Sequence, residues 1–307
     1  TGDQHALDPE RYGMNVPDDV APIFSGLRID ALDSAARVQP YPGGARGFVV
    51  AASGNSYTLK DGTVPEALGT VGFAVNVIDR YTNSSSTCGI RSLKVSVDGA
   101  PVFSASLDEV DFGLNRYANA YMDYALFKDN DMHYNRCYKL PNNKLGIYGR
   151  ETAQGRITIT AGEEKKILVE AVDPNGNRSE LRFTLRGAAP EKAAAWAMPA
   201  SPGQLFRHDR ENTIANASAR FTLPANALYA DERVRLRTDT ATGRTVATRY
   251  APLTRLHERL TPLQLPGQLA LKADVARAAK HADKLLIVRV DDKGKISPVG
   301  GTLSADG

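Results

Sequence analysis

The sequence predicts an all-β protein: an immunoglobulin-like β-sandwich with an aromatic-rich insertion, followed by a second, smaller β-sandwich. Three observations carry this. Short runs rich in β-branched and aromatic residues recur along the chain, bounded by Gly, Asn, Ser or Asp. Turn chemistry punctuates them at Asp98-Gly99 and Asp173-Pro174-Asn175-Gly176-Asn177, where Gly and Asn accept the positive φ of tight turns. Helical stretches are few. With 42% hydrophobic and 24% charged residues among 307, the chain has the composition of a soluble globular protein able to bury sizeable cores.

In order, the first expected strands are 23–29, entered from the turn that ends at Pro22, then 48–52, 71–78 and 93–97. Asp98-Gly99 turns the last of these back into a hairpin through Pro101-Val102-Phe103. Strands at 156–160, 166–172 and 180–185 complete a domain spanning 16–187. Residues 107–150 interrupt it as an insertion holding Tyr117, Tyr121, Tyr124, Phe127, Tyr134, Tyr138 and Tyr148. The four- and three-residue spacings of Tyr117, Tyr121 and Tyr124 predict one helical face, beside Arg116 and Asp123. An Ala- and Pro-rich tract at 188–204 reads as a linker. The second domain, 205–307, has expected strands at 219–223, 233–238, 261–263, 269–272 and 285–290, a short helix at 274–283, and a strand resuming at Ile296. It reads as a sandwich short of its last strand. The polar segment 1–15 reads as a junction with something upstream.

Chemistry is sparse. Five histidines (His5, His133, His208, His257, His281) never fall at metal-ligand spacing. No GxSxG nucleophile elbow is present, and the glycines at 43, 44 and 47 lack the strand-then-helix context of a phosphate loop. Asp173-x-Asn175-x-Asn177 has the opening spacing of a calcium loop without the rest of the twelve-residue pattern, and reads as a hairpin turn. Asp108, Glu109 and Asp111 are paired carboxylates with no sign of the burial that tunes an acid. Asp129 and Asp131 read as a solvated loop. A net charge of +3 is dispersed, and Arg233, Arg235 and Arg237 alternate along one strand face as a solvated surface, so no nucleic-acid partner is expected. The longest apolar runs are too short for a transmembrane segment. Cys88 and Cys137 sit at strand margins of one domain. A disulfide between them suits an oxidising compartment, and free thiols remain the alternative.

A family resemblance runs through much of the chain. It is carried by Asp79-Arg80, Gly89-Ile90, Val97-Asp98-Gly99, Asn115-Arg116-Tyr117 and Asp123-Tyr124, then by the run from Arg136-Cys137-Tyr138-Lys139 to Leu145 and by Ile147-Tyr148. Together with Asp8-Pro9-Glu10-Arg11-Tyr12-Gly13, Pro224-Ala225-Asn226-Ala227-Leu228-Tyr229 and the closing Leu286–Asp292 stretch, these resemble the non-catalytic C-terminal region of Bacteroidetes-type M23 (lysostaphin/LytM-like) zinc metallopeptidases. The resemblance implies a periplasmic or cell-envelope setting, an upstream peptidase domain as partner, and peptidoglycan as the material acted on. The family holds its zinc with an HxxxD motif and an HxH pair. Neither exists here, so no catalytic or metal residue carries over, no cofactor is expected in this chain, and zinc is expected only in a catalytic domain outside it. The second unit also resembles ZU5-like domains through its Pro-x-x-Ala-Leu pattern.

Two functional expectations follow. One is an accessory region, positioning substrate or scaffolding for an M23 peptidase that hydrolyses peptidoglycan cross-bridges. The other is a free-standing envelope module that binds glycan or protein. In either, Arg116, Tyr117, Tyr121 and Tyr124 are the ligand-contact candidates, because tyrosines offer flat apolar faces with a hydrogen-bonding tip. The competing account packs these rings against the sandwich edge.

Overall fold

A computed structural model describes residues 5–7, 13, 16–41, 47–197, 202–239, 249–291 and 293–304. The chain divides into two compact units, Thr1–Ala200 and Ser201–Gly307. Both are built of strands, as the sequence predicts.

The first unit contains β1 (His5–Leu7), β2 (Ile23–Ala31), β3 (Arg37–Val38), β4 (Phe48–Ser53), β5 (Ser56–Leu59), β6 (Glu66–Ile78), β7 (Ser92–Val97), β8 (Ala100–Ser106), β9 (Glu109–Asp111), β10 (Tyr134–Arg136), β11 (Ile157–Ile159), β12 (Glu164–Val172) and β13 (Arg178–Gly187). One sheet is centred on β6, which pairs antiparallel with β2, β10 and β11. The other runs β5-β13-β12-β7-β8, with β5 parallel to β13. Two strands turn the corner between the sheets. β4 pairs with both β2 and β5, and the first residues of β6 pair in parallel with the end of β13. This is the immunoglobulin-like arrangement, in which the two sheets close over inward-facing alternate residues.

The alternation explains why these segments are strands. β12 buries Ile167, Val169 and Ala171 and turns the residues between them outward; β13 does the same with Leu181, Phe183 and Leu185. From the facing sheet Leu27, Phe73, Val75 and Val77 close the core, and Phe73 meets Phe183 edge to face at 5.2 Å. At the β7–β8 hairpin Asp98 and Gly99 take φ of 51° and 86°, the left-handed pair that suits a tight two-residue turn.

Several boundaries differ from the sequence reading. β6 begins at Glu66, because its early residues pair with β3 and β13 rather than forming a turn. The expected linker at 188–204 is partly structured: α3, a short helix at Pro190–Ala194, buries Ala193 completely, and Lys192 forms an ion pair with Glu66. Most of the expected junction at 1–15 lies outside the described residues; within it, β1 pairs with β9.

The second unit holds β14 (Gln204–Phe206), β15 (Asn212–Ala215), β16 (Ala219–Leu223), β17 (Glu232–Val234), β18 (Leu236–Asp239), β19 (Leu253–Leu256), β20 (Gln268–Leu271), β21 (Ile287–Val290) and β22 (Ile296–Gly300). They form small antiparallel sheets, β14–β17, β15–β16–β20, β18–β19 and β21–β22. Phe206, Phe221, Leu223, Leu228 and Val234 make its core, with Phe206 and Phe221 stacked at 6.5 Å. The single strand expected at 233–238 is two, broken at Arg235, and 261–263 is not a strand. The expected 274–283 helix is a short turn of helix (Val275–Ala278), capped by the Asp274 carboxylate, which continues as 3-10 helix to Lys284.

Candidate functional site

The insertion does not form one helical face. A 3-10 turn (Phe112–Tyr117) leads into α1 (Ala118–Tyr121), then Met122 and Asp123 become extended before α2 (Tyr124–Asn130). The break has a local cause. Asp123 N–H donates to the Tyr134 carbonyl, so the chain is extended here beside β10, and the Asp123 carboxylate then accepts from Leu126 N–H as the N-cap of α2.

This placement divides the four ligand-contact candidates. Tyr117 and Tyr121 are buried, at 5% and 4% exposure. The Tyr121 ring stands against Tyr148, which in turn meets Phe103 of β8. Both are therefore interior residues, against the expectation that they contact a ligand: Tyr121 packs on Tyr148, and Tyr117 is buried and presents no open ring face. Arg116 is exposed and Tyr124 half-buried, with Lys128 Nζ 5.7 Å from the Tyr124 ring centroid. Only these two reach solvent.

Beneath the insertion lies a charged anchor that the sequence reading did not find. Arg28 of β2 reaches Asp30 on its own strand (2.7 and 2.9 Å) and Asp123 of the insertion (2.6 Å), and lies over the Tyr134 ring at 5.5 Å. Tyr138 Oη donates to Asp30 (2.8 Å), and Arg136 donates to the carbonyls of Ala120 and Met122. Burial by itself would raise the Asp123 carboxyl, but the Arg28 charge, the Leu126 N–H and Arg136 outweigh it and hold it below the usual carboxylate range. No periodicity or motif marks this cluster, because its hydrogen-bonded partners lie up to 108 residues apart.

The two cysteines do not pair. Cys88 bridges Asp79 by backbone hydrogen bonds just past the end of β6, whereas Cys137 N–H donates to Phe73, six residues back along that strand. Six strand residues span about 20 Å, far beyond disulfide reach. Both are free thiols, and Cys137 is buried. The paired carboxylates expected at Asp108, Glu109 and Asp111 are structural: Asp108 binds Arg91 and Ser106, and Asp111 caps the 3-10 turn.

At the end of the sandwich where β6 and β12 finish, three carboxylates meet. Asp18 comes from the segment before β2, Asp79 follows β6, and Asp173 follows β12. One oxygen from each lies within 4.8 Å of the others, the one such gathering of metal-ligand side chains among the described residues. Asp79 and Asp173 are fully buried. The hairpin reading of 173–177 holds for the backbone, since Asp173 N–H donates to the Asn177 carbonyl (3.1 Å). The side chains do more. Asn177 donates to both Asp173 oxygens (2.7 and 2.8 Å) and to the Asp18 carbonyl (3.1 Å), and Asn175 donates to the Val16 carbonyl. Asp18 Oδ1 accepts from Val20 and Thr82. Two buried oxygens accept nothing: Asp18 Oδ2 and Asp79 Oδ1. The Asp79 carboxyl is pushed up to about 6, chiefly by burial, with the Asp173 and Asp18 charges adding to it against a backbone N–H from Arg80. Two such charges at this separation repel by roughly 3 kcal/mol at an effective dielectric near 20. Cys88 donates its thiol to Asp79 Oδ2 (3.6 Å), its own pKa pushed up to about 12 by burial and by that carboxylate.

The histidines of the second unit do not converge. His208 meets Asp231 at 2.7 Å, and His257 Nε2 lies 4.0 Å from Glu232 Oε1. Among the described residues no helix is long and apolar enough to cross a membrane. No curated protein and no solved structure matches the chain. One family model does, over the second unit: residues 203–307 match the Zu5-like domain, and that unit is similar to it.

Proposed function

We propose that this chain is a non-catalytic accessory region of a cell-envelope M23-type zinc metalloendopeptidase, acting as a scaffold for a domain that cleaves peptidoglycan cross-bridges. One observation carries the choice of scaffold over substrate contact. Of the 17 residues behind the family resemblance from 115 to 148, seven are buried (Tyr117, Cys137, Tyr138, Asn142, Asn143, Leu145 and Ile147), six are half-buried, and four are exposed: Asn115, Arg116, Pro141 and Lys144. Asn143 alone ties three parts of the insertion together, donating to Tyr148 Oη (2.7 Å) and the Tyr117 carbonyl (3.3 Å) while accepting from Leu145 N–H. Residues shared for such a purpose maintain a shape. On this reading zinc belongs to the peptidase domain, and the setting is periplasmic.

The test is the intact mass and zinc content of the native protein purified from its source cells. A species substantially heavier than 33.1 kDa with about one zinc per chain, as a mononuclear catalytic site holds, is expected. A zinc-free species of this mass would overturn the proposal and favour a free-standing binding module. Binding to isolated sacculi separates the two roles further. A scaffold tolerates Arg116→Ala and Tyr124→Ala with no change in binding, whereas a contact surface loses it.

A further inference from the structure

We propose that Asp18, Asp79 and Asp173 form a divalent-cation site at one end of the first unit, and that its ion is calcium. The geometry is that of a coordination shell awaiting its centre. Calcium–oxygen distances of about 2.3–2.6 Å place ligands on opposite sides of one ion roughly 4.8 Å apart, and the three carboxylate oxygens lie within 4.8 Å of one another. Proximity of acids alone would mean little. The independent observation is Asp79: its side chain is fully buried and its Oδ1 has no hydrogen-bond donor, as is also true of Asp18 Oδ2. Buried carboxylate oxygens are seldom left without a donor, so two such oxygens beside a third carboxylate point to a positive partner.

The surroundings hold these groups as a metal's outer contacts do. Asn177 fixes both Asp173 oxygens and the Asp18 backbone, while Val20 and Thr82 occupy Asp18 Oδ1 and leave Oδ2 available. Each Asp173 oxygen keeps a lone pair beyond the one Asn177 uses. The donor set is all oxygen, which selects a hard cation. Cys88, the one sulfur nearby, donates its proton to Asp79 and is not presented as a thiolate. Calcium is favoured over magnesium because irregular carboxylate sets suit its flexible shell, whereas magnesium demands near-octahedral geometry and keeps its waters.

The experiment uses the full 307-residue chain, stripped with EDTA and dialysed. Equilibrium dialysis against calcium, magnesium or zinc chloride, with elemental analysis, gives bound metal per chain, and scanning calorimetry gives Tm with and without 1 mM calcium. The proposal expects one calcium per chain, a rise in Tm of several degrees, and loss of both in Asp79→Asn. That variant removes a charge without changing shape and so stays folded when metal-free. Asp61→Asn, at an exposed carboxylate on a distant turn, should retain both. The proposal is overturned if the wild-type chain binds no calcium at 1 mM, which would leave a shared proton holding the cluster. Equal calcium in Asp79→Asn, or a preference for zinc at equal concentration, would overturn it as well.

Discussion

At the scale of single residues, Asp123 joins three parts of the first unit: it caps α2, faces Arg28 of β2 and lies near Arg136 of β10. Its side chain is 15% exposed, so its charge is poorly hydrated and depends on those partners. Truncating one member of a buried pair leaves the other uncompensated, so Asp123→Asn should cost roughly 3 kcal/mol in urea unfolding. The pH dependence follows from the lowered pKa. A carboxylate whose folded pKa lies below its unfolded value, near 3.9, contributes fully above that value. The contribution is lost as pH falls through the folded pKa. Wild-type stability should therefore decline more steeply than that of Asp123→Asn below about pH 4. Parallel acid limbs in the two proteins would show that the Arg28–Asp123 pair contributes nothing to this decline.

At the scale of elements, Tyr134 of β10 shows how tightly the insertion is seated. β2 has a bulge between Phe24 and Gly26, and a Cβ on Gly26 would sit 2.6 Å from Tyr134 Oη; at Gly47 the figure is 2.5 Å. Gly26 within β2 and Gly47 just before β4 both leave room for one phenol. Gly26→Ala should cost about 1–3 kcal/mol through overpacking, and Tyr134→Phe in the same chain should recover most of it, since the clash is with the hydroxyl. A double-mutant cycle with no coupling would place the cost elsewhere. This contact also marks what the sequence could and could not reveal. β2, β7, β12, β13 and β16 were legible because alternation and turn residues are local signals. The 219–223 strand has its expected limits, and Asp98-Gly99 forms the expected turn. Local patterns also misled: the Tyr117–Tyr124 spacing fits a helix, but pairing of 122–123 with β10 breaks it. The acid cluster was not legible: 173–177 reads locally as a hairpin turn, and the other two carboxylates come from positions 18 and 79, which only the strand pairings bring together.

At the scale of the whole molecule, each unit carries a core made of its own residues, and the second is the smaller. Phe206 and Phe221 stack within it, Leu223 and Val234 are almost fully buried, and Ile214, Leu256, Leu263 and Leu269 complete the cluster. A domain of about 100 residues buries enough surface to fold without disulfides or a metal, so residues 202–307 expressed alone should fold cooperatively. Dispersed amide NMR signals and a single sigmoidal urea transition are the expected readouts. Phe221→Ala should then remove about 3–5 kcal/mol, a large share of the roughly 5–15 kcal/mol typical of a folded domain, and shift the urea midpoint well down. The β21–β22 hairpin gives the contrast. Val299 is 66% exposed, and Val299→Ser should stay within about 0.5 kcal/mol of wild type. A fragment that is unfolded without substitution would show that its core does not suffice. Equal sensitivity at Phe221 and Val299 would mean that its stability does not reside in the Phe206–Phe221 cluster.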